Sequence, residues 1–218
     1  LLMLTTILTI SVADAQDHRY DAGVSRELAE WRKATIKDVR YKLYFDLVED
    51  RGVAWLHFNL DVPQEVIIDL RNTDLVRDVT VSDSGESILK ECILANEHIV
   101  VPACETHAGR NAIGVIFSVD NQSLNRKPDF LYTLLVPDRA RTLFPCFDQP
   151  DMKATYELHL AIPEDWVAIS NTATRELDYV KEWSDYYFDE PLAEDMKVVS
   201  FEPTEPLSTY LFSFVAGK

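Results

Sequence analysis

Apolar and polar positions change their spacing near residue 36. In the run Ser25-Arg26-Glu27-Leu28-Ala29-Glu30-Trp31-Arg32-Lys33 the apolar Leu28 and Trp31 stand three apart, acids come early and bases late. That pattern predicts a short amphipathic helix capped by Ser25. Beyond it the period becomes two. Tyr41, Leu43, Phe45 and Leu47 alternate with other positions, as do Ala54, Leu56, Phe58 and Leu60 after Arg51-Gly52, which predicts an antiparallel hairpin turning at that dipeptide. Further strands are predicted for Glu65 to Leu70, Val76 to Val81, Ile88 to Leu94, Ile99 to Val101, Ala112 to Val119, Leu131 to Val136, Ala154 to Ile162, Trp166 to Ser170, Asp185 to Asp189, Val198 to Phe201 and Leu207 to Ala216. Short β-branched and aromatic runs, broken by Asn, Asp, Gly and Pro, indicate an all-β fold: a large antiparallel β-sandwich with a short N-terminal helix. One β domain is expected over 36–218, preceded by a linker and helix over 16–35. The acid-rich stretch Thr174 to Lys197 is expected to form an exposed hairpin or loop.

The first twelve residues, Leu1 to Val12, are apolar and uncharged but too few to span a bilayer, and Ala13-Asp14-Ala15 has the small-x-small form of a signal-peptidase site. Residues 1–15 are therefore read as a signal peptide lacking its basic n-region, with export to the periplasm or the extracellular space. Gln16 rather than Cys follows the cut, and no membrane anchor is evident. The chain of 218 residues, 47% hydrophobic, can bury a full core. Its 21 basic against 37 acidic side chains give a net charge of −16, which repels phosphate backbones and argues against nucleic acid as a partner. Cys92, Cys104 and Cys146 match no metal-ligand spacing; Cys92 could bridge Cys104, but buried free thiols are the favoured reading for all three.

The five histidines, His18, His57, His98, His107 and His159, never stand four apart, so no HExxH helix can present two imidazoles to a metal. His57 and His159 fall within strand patterns, where a satisfied histidine is the favoured reading. A GxSxG elbow and a Gly-rich phosphate loop are also absent from the sequence. The informative stretch is Asp138-Arg139-Ala140-Arg141-Thr142-Leu143-Phe144-Pro145-Cys146-Phe147-Asp148-Gln149-Pro150-Asp151-Met152-Lys153-Ala154. Pro145 and Pro150 flank a segment that cannot join a ladder. Within it Asp148 can accept backbone N–H groups or pair with an arginine, and Arg141 carries a fork that suits carboxylates. The residue types describe a braced turn rather than a catalyst.

The run RTLFPCFDQPDMKATYELHLAIPEDWVAISN resembles the block in the N-terminal domain of aminopeptidase N-like zinc metallopeptidases, the family that includes membrane alanyl aminopeptidase and leukotriene A4 hydrolase. The strand Ile36 to Leu47, the segment GRNAIGVIFS and the closing FEPTEPLSTYLFSFVAG fall in the order expected of that family. The motif positions carried by the resemblance are Arg141, Pro145, Cys146, Asp148, Pro150 and Lys153. The resemblance implies a saddle-shaped β domain that packs on a downstream catalytic domain of the same polypeptide and walls its cleft. It also implies peptide substrates, and zinc held in that downstream domain by an HExxH helix and a later Glu, beside a GxMEN loop. None of these motifs occurs before Lys218, so the chain itself is expected to bind no cofactor and to be inactive alone. By the same resemblance Tyr132, Leu134 and Val136 lie nearest the cleft. Many relatives carry Gln or Glu five residues before the arginine of this block, to hold the substrate amine; here that position is Val136, which cannot accept a hydrogen bond. The alternatives are a stand-alone periplasmic binding or scaffold sandwich, and a carbohydrate-binding module using Trp55, Trp166 and Trp183.

Overall fold

The computed structural model describes residues 17–81, 86–176, 183–188 and 191–218. The residues read as a signal peptide therefore lie outside the described ones. Strands β1 (Ile36–Asp46), β2 (Arg51–Leu60), β4 (Val76–Val81), β7 (Gly109–Ser118), β10 (Thr155–Pro163), β12 (Thr174–Arg175) and β13 (Met196–Phe201) form a seven-stranded sheet in the order β12-β13-β10-β1-β2-β7-β4. A second sheet has the order β11-β14-β9-β8 and comprises β8 (Leu124–Arg126), β9 (Phe130–Thr133), β11 (Val167–Ser170) and β14 (Phe214–Gly217). A three-stranded sheet, β3 (Val66–Asp69), β6 (His98–Val101) and β5 (Ile93–Ala95), completes the described sheets.

The mostly β sandwich expected from the alternation is present, with one correction to its antiparallel character. β1 and β10 pair in parallel, from Arg40 opposite Thr155 to Asp46 opposite Ala161. More than a hundred residues of chain separate these strands, ample for the long connection that parallel pairing requires.

Inward side chains of the large sheet meet those of the four-stranded sheet and of the motif segment. Tyr41 stacks on Tyr156 at 5.0 Å, Tyr156 on Phe212 at 4.8 Å, and Phe144 meets Phe212 edge-on at 5.6 Å. Such pairs contribute about 0.5–1.5 kcal/mol each beyond the area they bury. Helix α1 (Arg26–Thr35) begins where expected: the Ser25 hydroxyl accepts the Leu28 N–H at 3.1 Å. Its Leu28 and Arg32, four apart and hence on one face, are both buried against the three-stranded sheet. Helix α1 is thus packed on the three-stranded sheet, in a cluster of Leu28, Ile67 and Val100.

Several local expectations are corrected. The first hairpin turns over residues 47–50, not at Arg51-Gly52; Asp46 Oδ1 accepts the N–H groups of Val48 and Glu49, and Asp50 takes φ +52°. Gly52 sits inside β2 because the Phe117 ring fills the space its side chain would take, 2.5 Å from an ideal Cβ. Ile88 to Cys92 turn back on themselves, with Cys92 N–H donating to the Ile88 carbonyl, so only Ile93–Ala95 is strand. The predicted strand Asp185 to Asp189 falls on helix α2 (Trp183–Phe188). Tyr187 and Phe188 both pack on the Tyr44–Val53–Ala161 cluster, and consecutive residues of a strand could not share one face. The closing run is broken by a 3-10 turn at Thr209–Leu211 before β14. Cys146 is buried, Cys92 half-buried and Cys104 exposed, and all three are free thiols. The buried-thiol expectation therefore fails at Cys104.

Candidate functional site

In β9 of the four-stranded sheet Leu131 and Thr133 point into the core and Phe130 and Tyr132 outward, and in the residues that follow the strand Leu135 is buried while Leu134 and Val136 are exposed. The register lines Ile169, Val215 and Tyr132 up across three strands, and Val167, Gly217 and Phe130 one pleat along. Directly opposed residues share a face, so these side chains form one outward apolar field. Their exposure runs from 38% for Val215 to 64% for Val167 and Ile169. Phe130 and Tyr132 lie nearly parallel at 6.4 Å. Gly217 is required beside them, because a Cβ there would meet Phe130 Cβ at 2.7 Å. A contiguous apolar field of this kind marks an interaction surface.

Beneath it, residues 141–149 are buried and Pro150 and Lys153 are exposed. The segment is tied down at both ends. Cys146 and Asp69 exchange backbone hydrogen bonds at 2.8 and 3.0 Å, and Phe147 N–H donates to the Tyr41 hydroxyl. The Asp148 carboxylate accepts the Arg141 N–H at 3.1 Å and the Thr209 hydroxyl at 2.7 Å, which joins the motif to the chain just before β14. The Arg141 guanidinium does not reach Asp148; it lies 3.4 Å from Asp138 and 3.6 Å from Glu97. Burial raises the Asp148 carboxyl above its ordinary range, against the lowering effect of these two hydrogen bonds.

The Asp148 N–H donates in turn to Asp69 Oδ2 at 2.8 Å. Asp69 is fully buried and held by both Nη atoms of Arg32, at 2.6 and 2.8 Å, with His98 Nδ1 at 3.0 Å. Burial alone would raise its carboxyl, but Arg32 and His98 outweigh that and hold it below the usual range. Sequence reasoning missed Arg32 and Asp69 as a pair. In the sequence Arg32 is a base in the last turn of a helix, a position that favours a cation for its own reasons. Only its spacing of four from Leu28 hinted at burial.

Residues 110–211 match the Peptidase M1 N-terminal domain. Aminopeptidase N of Streptomyces lividans is 26% identical over 215 residues, which is 97% of this chain and 21% of that protein. Over residues 110–211 the chain is thus similar to the N-terminal domain of M1 peptidases. Its likeness extends to mouse glutamyl aminopeptidase, 23% identical over 93% of the chain and 23% of that protein. The chain thus spans less than a quarter of the length of either relative. Among solved structures, the M1 zinc metallopeptidase of Deinococcus radiodurans aligns with TM-score 0.63 at 15% identity, over 84% of this chain and 42% of that one. Legionella pneumophila aminopeptidase A, solved with aspartic acid, gives TM-score 0.67 at 17% identity, over 84% of this chain and 21% of that one. At such identities the structural likeness establishes the fold.

No three His, Cys, Asp or Glu among the described residues converge on a point that could hold a metal ion. Three histidines have partners of their own: His159 bonds Ser200 and Glu157, His98 the Asp21 carbonyl and Asp69, and His18 the Asp21 carboxylate. The described residues therefore do not fit the zinc ion that the family name suggests. Of the three tryptophans considered for a sugar platform, Trp55 and Trp166 are engaged within the domain, and the Trp183 side chain lies outside the described ones. Trp55 donates its indole N–H to the Tyr187 hydroxyl at 2.7 Å, and Trp166 is half-buried against the core.

Proposed function

We propose that this chain is the non-catalytic N-terminal domain of an exported zinc aminopeptidase. It docks through the Phe130–Tyr132–Val215–Ile169 field on a downstream catalytic domain of the same polypeptide and walls that domain's peptide cleft. The carrying observation is the outward apolar field on a sheet whose other face already belongs to the core. Exposed aromatic and aliphatic side chains in register suit the centre of a protein interface, where burial of Phe and Tyr supplies most of the association energy. The relatives' names supply the rest: they are aminopeptidases and metallopeptidases, so peptides are the substrate class and zinc belongs to the downstream portion. At the edge of the field Val136 projects with no hydrogen-bonding group. Any contribution of this domain to holding a substrate amine therefore comes from shaping the cleft rather than from an acceptor at that position.

The test is reconstitution. The domain alone is expected to bind a hydrophobic dye; adding the separately produced downstream portion is expected to suppress the dye signal and raise hydrolysis of an aminoacyl anilide. A monomer that binds no dye and leaves the downstream portion's activity unchanged would favour the stand-alone binding domain.

A further inference from the structure

The outward face of the seven-stranded sheet divides in two. At one end α2 covers it, with Tyr187 and Phe188 on Tyr44, Val53 and Ala161. At the other end the face is open and forms a cavity of about 360 Å³ whose lining includes Arg40, Lys42, His57 and Arg110 together with Asp38 and Glu157. The ladder explains the convergence. Arg40 on β1 is opposite His57 on β2, and Arg110 on β7 is opposite Asn59, the next outward residue of β2. A register shift between Lys37 and Arg40, with Asp38 at φ +54°, bends β1 at the entrance to the cavity. Bulges of this sort re-aim side chains and recur beside binding sites.

The two acids of the cavity are already engaged. Asp38 accepts the Asn59 amide at 2.7 Å, and Glu157 is held by Arg175 at 2.5 Å, His159 at 3.1 Å and Lys42 at 3.7 Å. The side chains of Arg40 and Arg110 have neither an ion-pair nor a hydrogen-bond partner among the described residues. In a chain of net charge −16, two guanidinium groups facing one concavity from the strands on either side of β2 form a local inversion of sign. We propose that this cavity binds a phosphate-class oxyanion, free or carried on a small molecule, between Arg40 and Arg110 with His57 beneath it. Guanidinium forks match such oxygens, and donors arriving from three strands suit an anion that presents oxygens in several directions better than a flat carboxylate. The site lies on the opposite side of the sandwich from the apolar field, so it stands or falls independently of the docking proposal.

Pyrophosphate titrated into the full-length polypeptide at constant ionic strength tests it by calorimetry, with the ring-proton NMR signals of His57 as a positional readout. Saturable one-to-one binding is expected, with the His57 signals following the same curve and sulfate competing. R40Q and R110Q are each expected to weaken binding about tenfold while leaving the thermal midpoint in place, since both side chains are exposed. R40K is expected to retain part of the loss, which separates charge from fork geometry. A linear response no different from sodium chloride, or saturable binding that both arginine variants leave unchanged, would overturn the site. Citrate binding more tightly than pyrophosphate would overturn its assignment to tetrahedral oxyanions.

Discussion

The two outward faces of the sandwich solve the same problem in opposite ways. The four-stranded sheet leaves Phe130, Tyr132, Leu134, Val136, Val167, Ile169 and Val215 open to solvent with nothing among the described residues laid over them. The seven-stranded sheet covers its apolar end with α2 and gives its open end to Arg40, Lys42, His57 and Glu157. An open apolar face gains free energy only from another apolar surface, whereas a charged face is stable in water and discriminates by sign and geometry. On the proposals made above, the first face suits a folded partner and the second a small ion.

That contrast rests on a frame beneath the apolar face, and the frame can be broken. Replacing Arg32 with Ala leaves the Asp69 carboxylate buried without its main partner and should lower stability by about 3–5 kcal/mol. The urea midpoint reads this, and the Arg32→Met, Asp69→Leu double variant should recover only part of the loss, because it leaves no orphaned charge but strips the Asp148 N–H and the Ile67 carbonyl of their partners. Asp148→Ala removes the acceptor of the Arg141 N–H and the Thr209 hydroxyl and should cost about 1–3 kcal/mol, with reduced dye binding as the end of β14 loosens. An unchanged midpoint would remove the brace from the account.

The charged face predicts a pH dependence. Burial first, then Lys42 and Arg175, lower the His159 imidazole below its ordinary value of 6.5, against the raising effect of Glu157. The unfolded chain therefore binds a proton near that value that the folded chain does not. Stability should fall as pH drops below about 6.5 and level off once the folded imidazole also titrates. His159→Gln should flatten that stretch of the profile; an identical slope in the variant would locate the effect elsewhere. The smallest effect should come from the apolar field itself. Ile169→Ser changes the isolated domain's stability by no more than about 0.5 kcal/mol, since the side chain is open to solvent, yet it should weaken reconstitution measurably. A large loss of stability with docking intact would reverse the comparison between the faces.

Much of the fold was legible because side-chain period is a local property. The Ser25 cap, the alternation in β1 and β2 and the run Val76–Val81 were each visible in a window of a few residues. Errors arose where a residue's role depended on a distant partner. Gly52 read as a turn signal, but Phe117 requires it inside a strand. Asp185 to Asp189 read as extended because Tyr186, Tyr187 and Phe188 are aromatic, but the cluster around Tyr44 takes two adjacent rings, Tyr187 and Phe188, on one side. The candidate face was partly legible: Tyr132, Leu134 and Val136 stood out through family resemblance, while Val167, Ile169 and Val215 joined them only through strand register.

The sequence by itself determined that this is a β-rich domain with an M1-like motif and without metal-ligand spacing, since periodicity, proline placement and histidine spacing are all carried by the chain as written. Tertiary structure alone decided that β1 and β10 run parallel, that Arg32 belongs to Asp69, and that Asp148 holds a backbone N–H rather than an arginine fork. It also decided that Arg40 and Arg110 share one cavity. Each of these joins residues dozens of positions apart, or sets a side chain's partner by what else is buried nearby. Such pairings follow from how the sheets close over one another, which no local window of sequence contains.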